Sequence, residues 1–254
     1  MCAELMATGI QPVAMNFRSC GGEPNRTARM YHSGETGDLA FVLETLARRY
    51  PGRRLVAVGF SLGGNVLLKY LGERGEGARP RVSAAAAISV PYDLAAGARL
   101  LESTPMGRLY TRYFLMSLFR KLRAKEEVLR DVIDVRAALR SRTLRVFDDR
   151  ATAPLHGFRG AADYYARSSC AAYLAGITAP TLLIHAMDDP FLPREHVPRT
   201  AIAGNPALFA ALHPRGGHVG FVEGTPWRPA FWAEREAARF LAHAQAIAPA
   251  APEG

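Results

Sequence analysis

Ser61 lies in Gly59-Phe60-Ser61-Leu62-Gly63-Gly64, a G-x-S-x-G run. A serine hydroxyl is a weak nucleophile until a base takes its proton and a third group orients that base. Two later segments offer those groups. Pro214-Arg215-Gly216-Gly217-His218-Val219-Gly220-Phe221 sets His218 among glycines, in a loop free to reach toward the serine. Asp188-Asp189-Pro190-Phe191-Leu192-Pro193 offers two carboxylates. An acid followed by Pro, two apolar residues and another Pro selects Asp189, while Asp188 could instead cap the loop. Serine, acid and histidine in this chain order suit attack on an acyl carbon, with His218 moving the proton and Asp189 holding the imidazole. The backbone N–H of Leu62, next to the nucleophile, is the candidate donor to a developing oxyanion.

Such groups work only if the backbone holds them. The β-branched and apolar run Leu55 to Val58 reads as a strand leading into the motif, and Asn65 to Leu71 as a helix leading out. A strand that reverses into a helix within a few residues forces Ser61 into a strained conformation, with Gly59 and Gly63 expected to relieve the crowding around it. His185 falls inside the apolar run Thr181 to His185 and reads as a satisfied core residue. His32, His156, His196, His213 and His243 lack a comparable loop after a late strand.

The rest of the chain alternates in the same way. Gln11 to Phe17 predicts a short strand. A helix from about Thr36, with Leu39, Val42, Leu43 and Leu46 at helical spacing, stops at Tyr50-Pro51-Gly52. Val82 to Val90 and Ala207 to Leu212 predict further strands, and Phe231 to Ala246 a closing amphipathic helix. Between Tyr92 and about Cys170 the rhythm gives way to helical patterns. The expectation is therefore a mostly parallel α/β sheet with helices on both faces. Residues 1–91 and 171–254 form its two parts, and 92–170 a helical lid insertion. Leu109, Tyr113, Phe114 and Phe119 would either line an acyl pocket or pack that insertion.

Composition narrows the class. The 254 residues are 49% apolar, and no stretch approaches the roughly 18–20 uncharged apolar residues of a membrane span. Stable membrane insertion is not expected. The start Met1-Cys2-Ala3-Glu4 lacks the basic region of a secretory signal. Cys2, Cys20 and Cys170 are three in number and widely spaced, which fits a cytoplasmic setting and neither zinc nor a disulfide framework. The net charge of +9 is almost all arginine, spread along the chain and interleaved with acids, so a nucleic-acid partner is not expected. No cofactor or metal is expected.

Several stretches resemble the YheT-like branch of the α/β-hydrolases, related to plant embryogenesis-associated and animal abhydrolase-domain proteins. They include Asn16 to Asn25, Tyr31-His32-Ser33-Gly34-Glu35-Thr36, Gly59 to Asn65, Phe147-Asp148-Asp149 with Pro154 to Phe158, and Asp163-Tyr164-Tyr165. His185 to Phe191 and Gly216 to Phe221 continue the match, which runs from about residue 3 to 245. The resemblance implies the α/β-hydrolase fold and a serine hydrolase of carboxylesterase or acylglycerol-lipase type. Its triad positions would be Ser61, Asp189 and His218, and its substrate a small ester or lipid. Members of that branch begin well upstream, with early strands and a His-Gly loop that supplies the second oxyanion donor. The expectation is thus a shortened hydrolase lacking early strands; the alternative is a non-catalytic or crippled protein of the same fold.

Overall fold

Four short apolar runs become β1 (Val56–Phe60), β2 (Ala84–Ile88), β3 (Thr181–Ala186) and β4 (Leu208–His213) in the computed structural model, which describes residues 1–247. Residues 248–254 of the expected segment 171–254 lie outside those described. The strands pair in parallel in the order β1-β2-β3-β4, with Val58 opposite Ala86 and Ala86 opposite Leu182. A strand's period of two sorts its side chains onto two faces. Ala85, Ala87 and Leu183 join a core with α2 (Thr36–Arg49) and α3 (Leu62–Arg74). Ala84, Ala86, Ile88, Ile184 and Ala186 join a second core with the C-terminal helix Trp232–Ile247 and with Leu5 of α1 (Cys2–Ala7). This is an α/β sheet covered on both faces, and β2, all Ala and Ile, is fully buried. After β4 comes an antiparallel hairpin, β5 (Val222–Thr225) with β6 (Arg228–Phe231), which the sequence reading does not anticipate.

One expected strand does not form. Gln11 to Phe17 takes no regular secondary structure and makes no ladder bonds among the described residues, and Val13 is exposed. A strand exists only by pairing, and β1, bonded to β2 alone, has no neighbour on its other edge among the described residues.

The chain divides into two units. The core unit comprises Met1–Met15, Thr36–Tyr92 and the chain from Cys170 onward; the helical unit comprises Asn16–Glu35 and Asp93–Ser169. The stretch Asn16–Glu35, read from sequence as the end of a strand and a loop, thus belongs with the helices. It is fastened there by buried polar contacts. Lys125 Nζ donates to Asn25 Oδ1 at 2.8 Å and to the Arg29 carbonyl at 2.9 Å, and Ser33 N–H donates to the Tyr164 hydroxyl at 2.9 Å. Met30 is buried with Leu115, Leu122 and Phe147. The longest helices of this unit are capped by their own sequence. Asp93 accepts from Ala96 N–H ahead of α4 (Leu94–Ser103), and Thr104 accepts from Gly107 N–H ahead of α5 (Pro105–Ala124), each at 2.9 Å. Charge is divided unevenly: the helical unit holds 18 Arg and Lys against 11 Asp and Glu, the rest of the chain 14 against 12.

Candidate active site

β1 ends at Phe60, and α3 begins at Leu62, so Ser61 alone makes the turn between them, at φ 48° and ψ −119°. Such a backbone is rarely tolerated by a residue with a Cβ and is held here by its neighbours. Ser61 N–H donates to the Ile88 carbonyl at 2.8 Å, and the Ser61 carbonyl accepts from Asn65 N–H at 3.1 Å. The glycines relieve crowding unequally. A Cβ on Gly59 would stand 2.5 Å from the Gly63 carbonyl oxygen, and one on Gly64 would stand 2.8 Å from Val90 Cγ2. A Cβ on Gly63 would meet nothing within 4 Å beyond its chain neighbours and its own helix backbone, contrary to the expectation that Gly63 relieves crowding. Leu62 opens the helix directly after Ser61, where its N–H has no preceding turn to accept it.

The structure brings Ser61, His218 and Asp189 together. His218 Nε2 lies 2.8 Å from Ser61 Oγ, and His218 Nδ1 lies 2.8 Å from Asp189 Oδ2. Asp189 is buried, and its other oxygen accepts from Phe191 N–H at 2.9 Å. A carboxylate so placed accepts a hydrogen bond from Nδ1–H and leaves the Nε2 lone pair facing the serine. Asp188 acts on the backbone instead. Its Oδ1 accepts from the N–H groups of Gly216 and Gly217, both at 2.9 Å, and so clamps the loop that carries His218. Phe191 stands edge-on to the His218 ring at 4.6 Å.

Ser89 is a supporting residue that sequence reasoning missed. It follows β2 directly, at φ 53° and fully buried, and its hydroxyl donates to the His218 carbonyl. Its position in Ile88-Ser89-Val90-Pro91, a polar residue at the end of an apolar strand, was the available signal. His185 is buried as expected but is not satisfied: neither ring nitrogen has a hydrogen-bond partner, and burial lowers its pKa. The Tyr92 ring lies 6.1 Å away, its hydroxyl likewise unpartnered. Of the residues expected either to line an acyl pocket or to pack the insertion, Leu109 and Tyr113 face solvent, and Phe119 packs on Phe147 at 6.1 Å inside the helical unit.

A second group of potential ligands, His32, Glu35 and His156, lies within the helical unit. His32 Nδ1 accepts from Gly34 N–H at 3.1 Å, so Nε2 carries the hydrogen and faces Glu35 Oε2 at 3.5 Å. That His32 contact and the Arg29 guanidinium, 2.5 Å away, hold the Glu35 carboxyl well below the usual carboxylate range. With the His32 lone pair engaged and a cation already on Glu35, the cluster serves as a buried tie better than as a metal cage.

Residues 3–225 match the sequence profile of the alpha/beta hydrolase fold family. The chain belongs to that family. Over 224 residues it is 41% identical to the candidate esterase YheT of Escherichia coli (strain K12), covering 87% of this chain and 65% of that one. Over 232 residues it is 32% identical to the monoacylglycerol lipase of Saccharomyces cerevisiae, covering 89% and 51%. The chain thus spans between half and two thirds of these relatives' lengths. Among solved structures it resembles an esterase from Pyrococcus furiosus, with a TM-score of 0.58 at 19% identity, covering 94% of this chain and 73% of that one. No helix among the described residues is long and apolar enough to cross a membrane.

Proposed function

We propose that this chain is the catalytic part of a carboxylic ester hydrolase, of short-chain carboxylesterase or acylglycerol-lipase type. In this reading Ser61 Oγ attacks the acyl carbon while His218 Nε2 takes its proton. His218 then gives that proton to the leaving alkoxide, and a water repeats the cycle on the acyl-serine. Asp189 stabilises the imidazolium that forms between the two transfers. The Leu62 N–H donates to the oxyanion. The observation that carries the reading is the run of two 2.8 Å contacts, Ser61 to His218 and His218 to Asp189, on a serine held at positive φ. The names of the relatives, monoacylglycerol lipase and esterase, support the substrate class. Most of the helical unit, Asp93–Ser169, enters the chain soon after β2 and Ser89, and we assign it the role of a lid.

A fluorophosphonate tests the mechanism without needing the native substrate, because only an activated serine displaces the fluoride from phosphorus. The expected result is a single adduct on the peptide containing Ser61, absent in Ser61→Ala and slowed strongly in His218→Ala. A folded parent that takes up no label points instead to a non-catalytic member of the fold. Label persisting in Ser61→Ala would remove the nucleophile assignment.

A further inference from the structure

α5 is apolar on two opposite sides. Gly107, Thr111, Leu115 and Leu122 face inward and are buried. Met106, Leu109, Tyr113 and Met116 recur at helical spacing on the opposite side, each more than half exposed, with Tyr110 beside them at 36%. Single exposed apolar residues are ordinary; a contiguous row of five along one helix face is not. The helix also carries five basic residues and no acid, and Arg108, Arg112, Arg120 and Arg123 are exposed around the row. The helical unit as a whole holds most of the chain's net positive charge.

We propose that the outward face of α5 docks this protein on an anionic lipid surface, lying in the interface without spanning it. An apolar row edged by arginines is the chemistry of an interfacial helix: the row enters the acyl boundary while the guanidinium groups meet phosphate. Two other occupants fit less well. A second copy set face to face across a two-fold axis would bring the same arginines against one another. A nucleic acid would use the arginines but leave Met106, Leu109 and Met116 unused, since bases stack on aromatic rings and Tyr110 already stacks on Phe114. The proposal does not depend on Ser61 being catalytic.

Flotation with vesicles tests it. The protein should float with phosphatidylcholine vesicles containing phosphatidylglycerol, and at least about tenfold less with phosphatidylcholine alone or in high salt. Leu109→Ser with Tyr113→Ser should weaken flotation about tenfold with the melting temperature unchanged, since both residues are exposed. Arg112→Gln with Arg123→Gln should weaken it through the other arm and reduce the salt dependence. Phe41→Ser, an equally exposed apolar change on α2, should leave it unaltered. No flotation, equal flotation on both vesicle types, or full flotation of both double variants would overturn the proposal. So would self-association that Leu109→Ser with Tyr113→Ser abolishes while flotation is absent. Displacement of the vesicles by an oligonucleotide, with no loss of that binding in the same variant, would also overturn it.

Discussion

The two units use buried polar chemistry in different ways. In the core unit, Ser61, Asp189 and His218 sit at strand ends and on loops, held largely by backbone groups: the Ile88 carbonyl on Ser61, the Phe191 N–H on Asp189, and the Gly216 and Gly217 N–H groups on Asp188. In the helical unit, Lys125, Glu35 and Asp148 are held by side chains and carbonyls, some from segments a hundred residues away. The first arrangement lines up a hydroxyl, an imidazole and a carboxylate at two 2.8 Å contacts. The second joins a stretch of irregular chain to a set of helices. Equal burial therefore says little about role; what distinguishes a candidate site is an atom left facing a reactive partner.

The largest effects should fall on the core unit. Ser61→Ala should lower ester turnover by about 10⁶-fold if the proposed chemistry holds, measured with p-nitrophenyl esters beside the parent; unchanged turnover would sink the assignment. Stability should move the other way for glycine. Ser61→Gly should be about 1–3 kcal/mol more stable than Ser61→Ala by denaturant titration, because both lose the hydroxyl and only glycine relaxes the backbone at φ 48°. The flanking glycines sharpen this. Gly59→Ala should cost upwards of about 4 kcal/mol, since its Cβ meets backbone that cannot yield, whereas Gly63→Ala should leave the midpoint unchanged or slightly raised. Equal losses at both positions would contradict the asymmetry.

These core features were legible because they are local or periodic. A strand, a G-x-S-x-G turn and a helix occupy consecutive residues, and the Asp-Pro and Gly-Gly-His loops each follow a recognisable strand or loop signal. The choice between Asp188 and Asp189 rests on the run Pro190-Phe191-Leu192-Pro193 that follows them, and in the structure Asp189 meets His218 while Asp188 clamps its loop. The strand expected at Gln11 to Phe17 failed for the opposite reason. Its composition suits a strand, but pairing is a property of neighbours that no window of sequence contains. Similarly, nothing near Asn25 or Arg29 announces Lys125, so the joining of Asn16–Glu35 to the helices could not be read.

Effects of intermediate size should fall on that joining. Lys125 is 3% exposed, and burial pushes its pKa down. Lys125→Met should cost about 2–4 kcal/mol, because Asn25 Oδ1 and the Arg29 carbonyl lose a charged donor while the stem's packing is kept. The loss should show as a lower melting temperature, with fluorophosphonate labelling of Ser61 at low temperature retained. A melting temperature within a degree of the parent's would mean that Asn16–Glu35 is held by apolar contacts around Met30 and not by this amine.

The smallest net effect hides two larger ones. Burial pushes His156 down to about 4, so its neutral form is favoured in the folded state. The unfolded chain binds its proton first, and stability from this residue is lost as pH falls from about 6.5 to 4. Burial pushes Asp148 up to about 6 despite the Thr152 and Tyr165 hydroxyls that donate to it at 2.6 and 2.7 Å. Its protonated form is favoured in the folded state, so its contribution is complete below about pH 4 and is lost as pH rises toward 6. Each shift of some two units corresponds to at most about 3 kcal/mol. The slopes oppose each other across one window, and the parent's stability should change little between pH 4 and 6 from this pair. Single variants should expose what the parent conceals. His156→Phe should leave the Asp148 slope, with stability falling as pH rises from 4 to 6. Asp148→Asn should leave the His156 slope, with stability falling as pH drops from 6.5 to 4. Urea midpoints at four or five pH values for the three proteins decide it, and parallel curves would mean that neither group titrates differently in the folded helical unit.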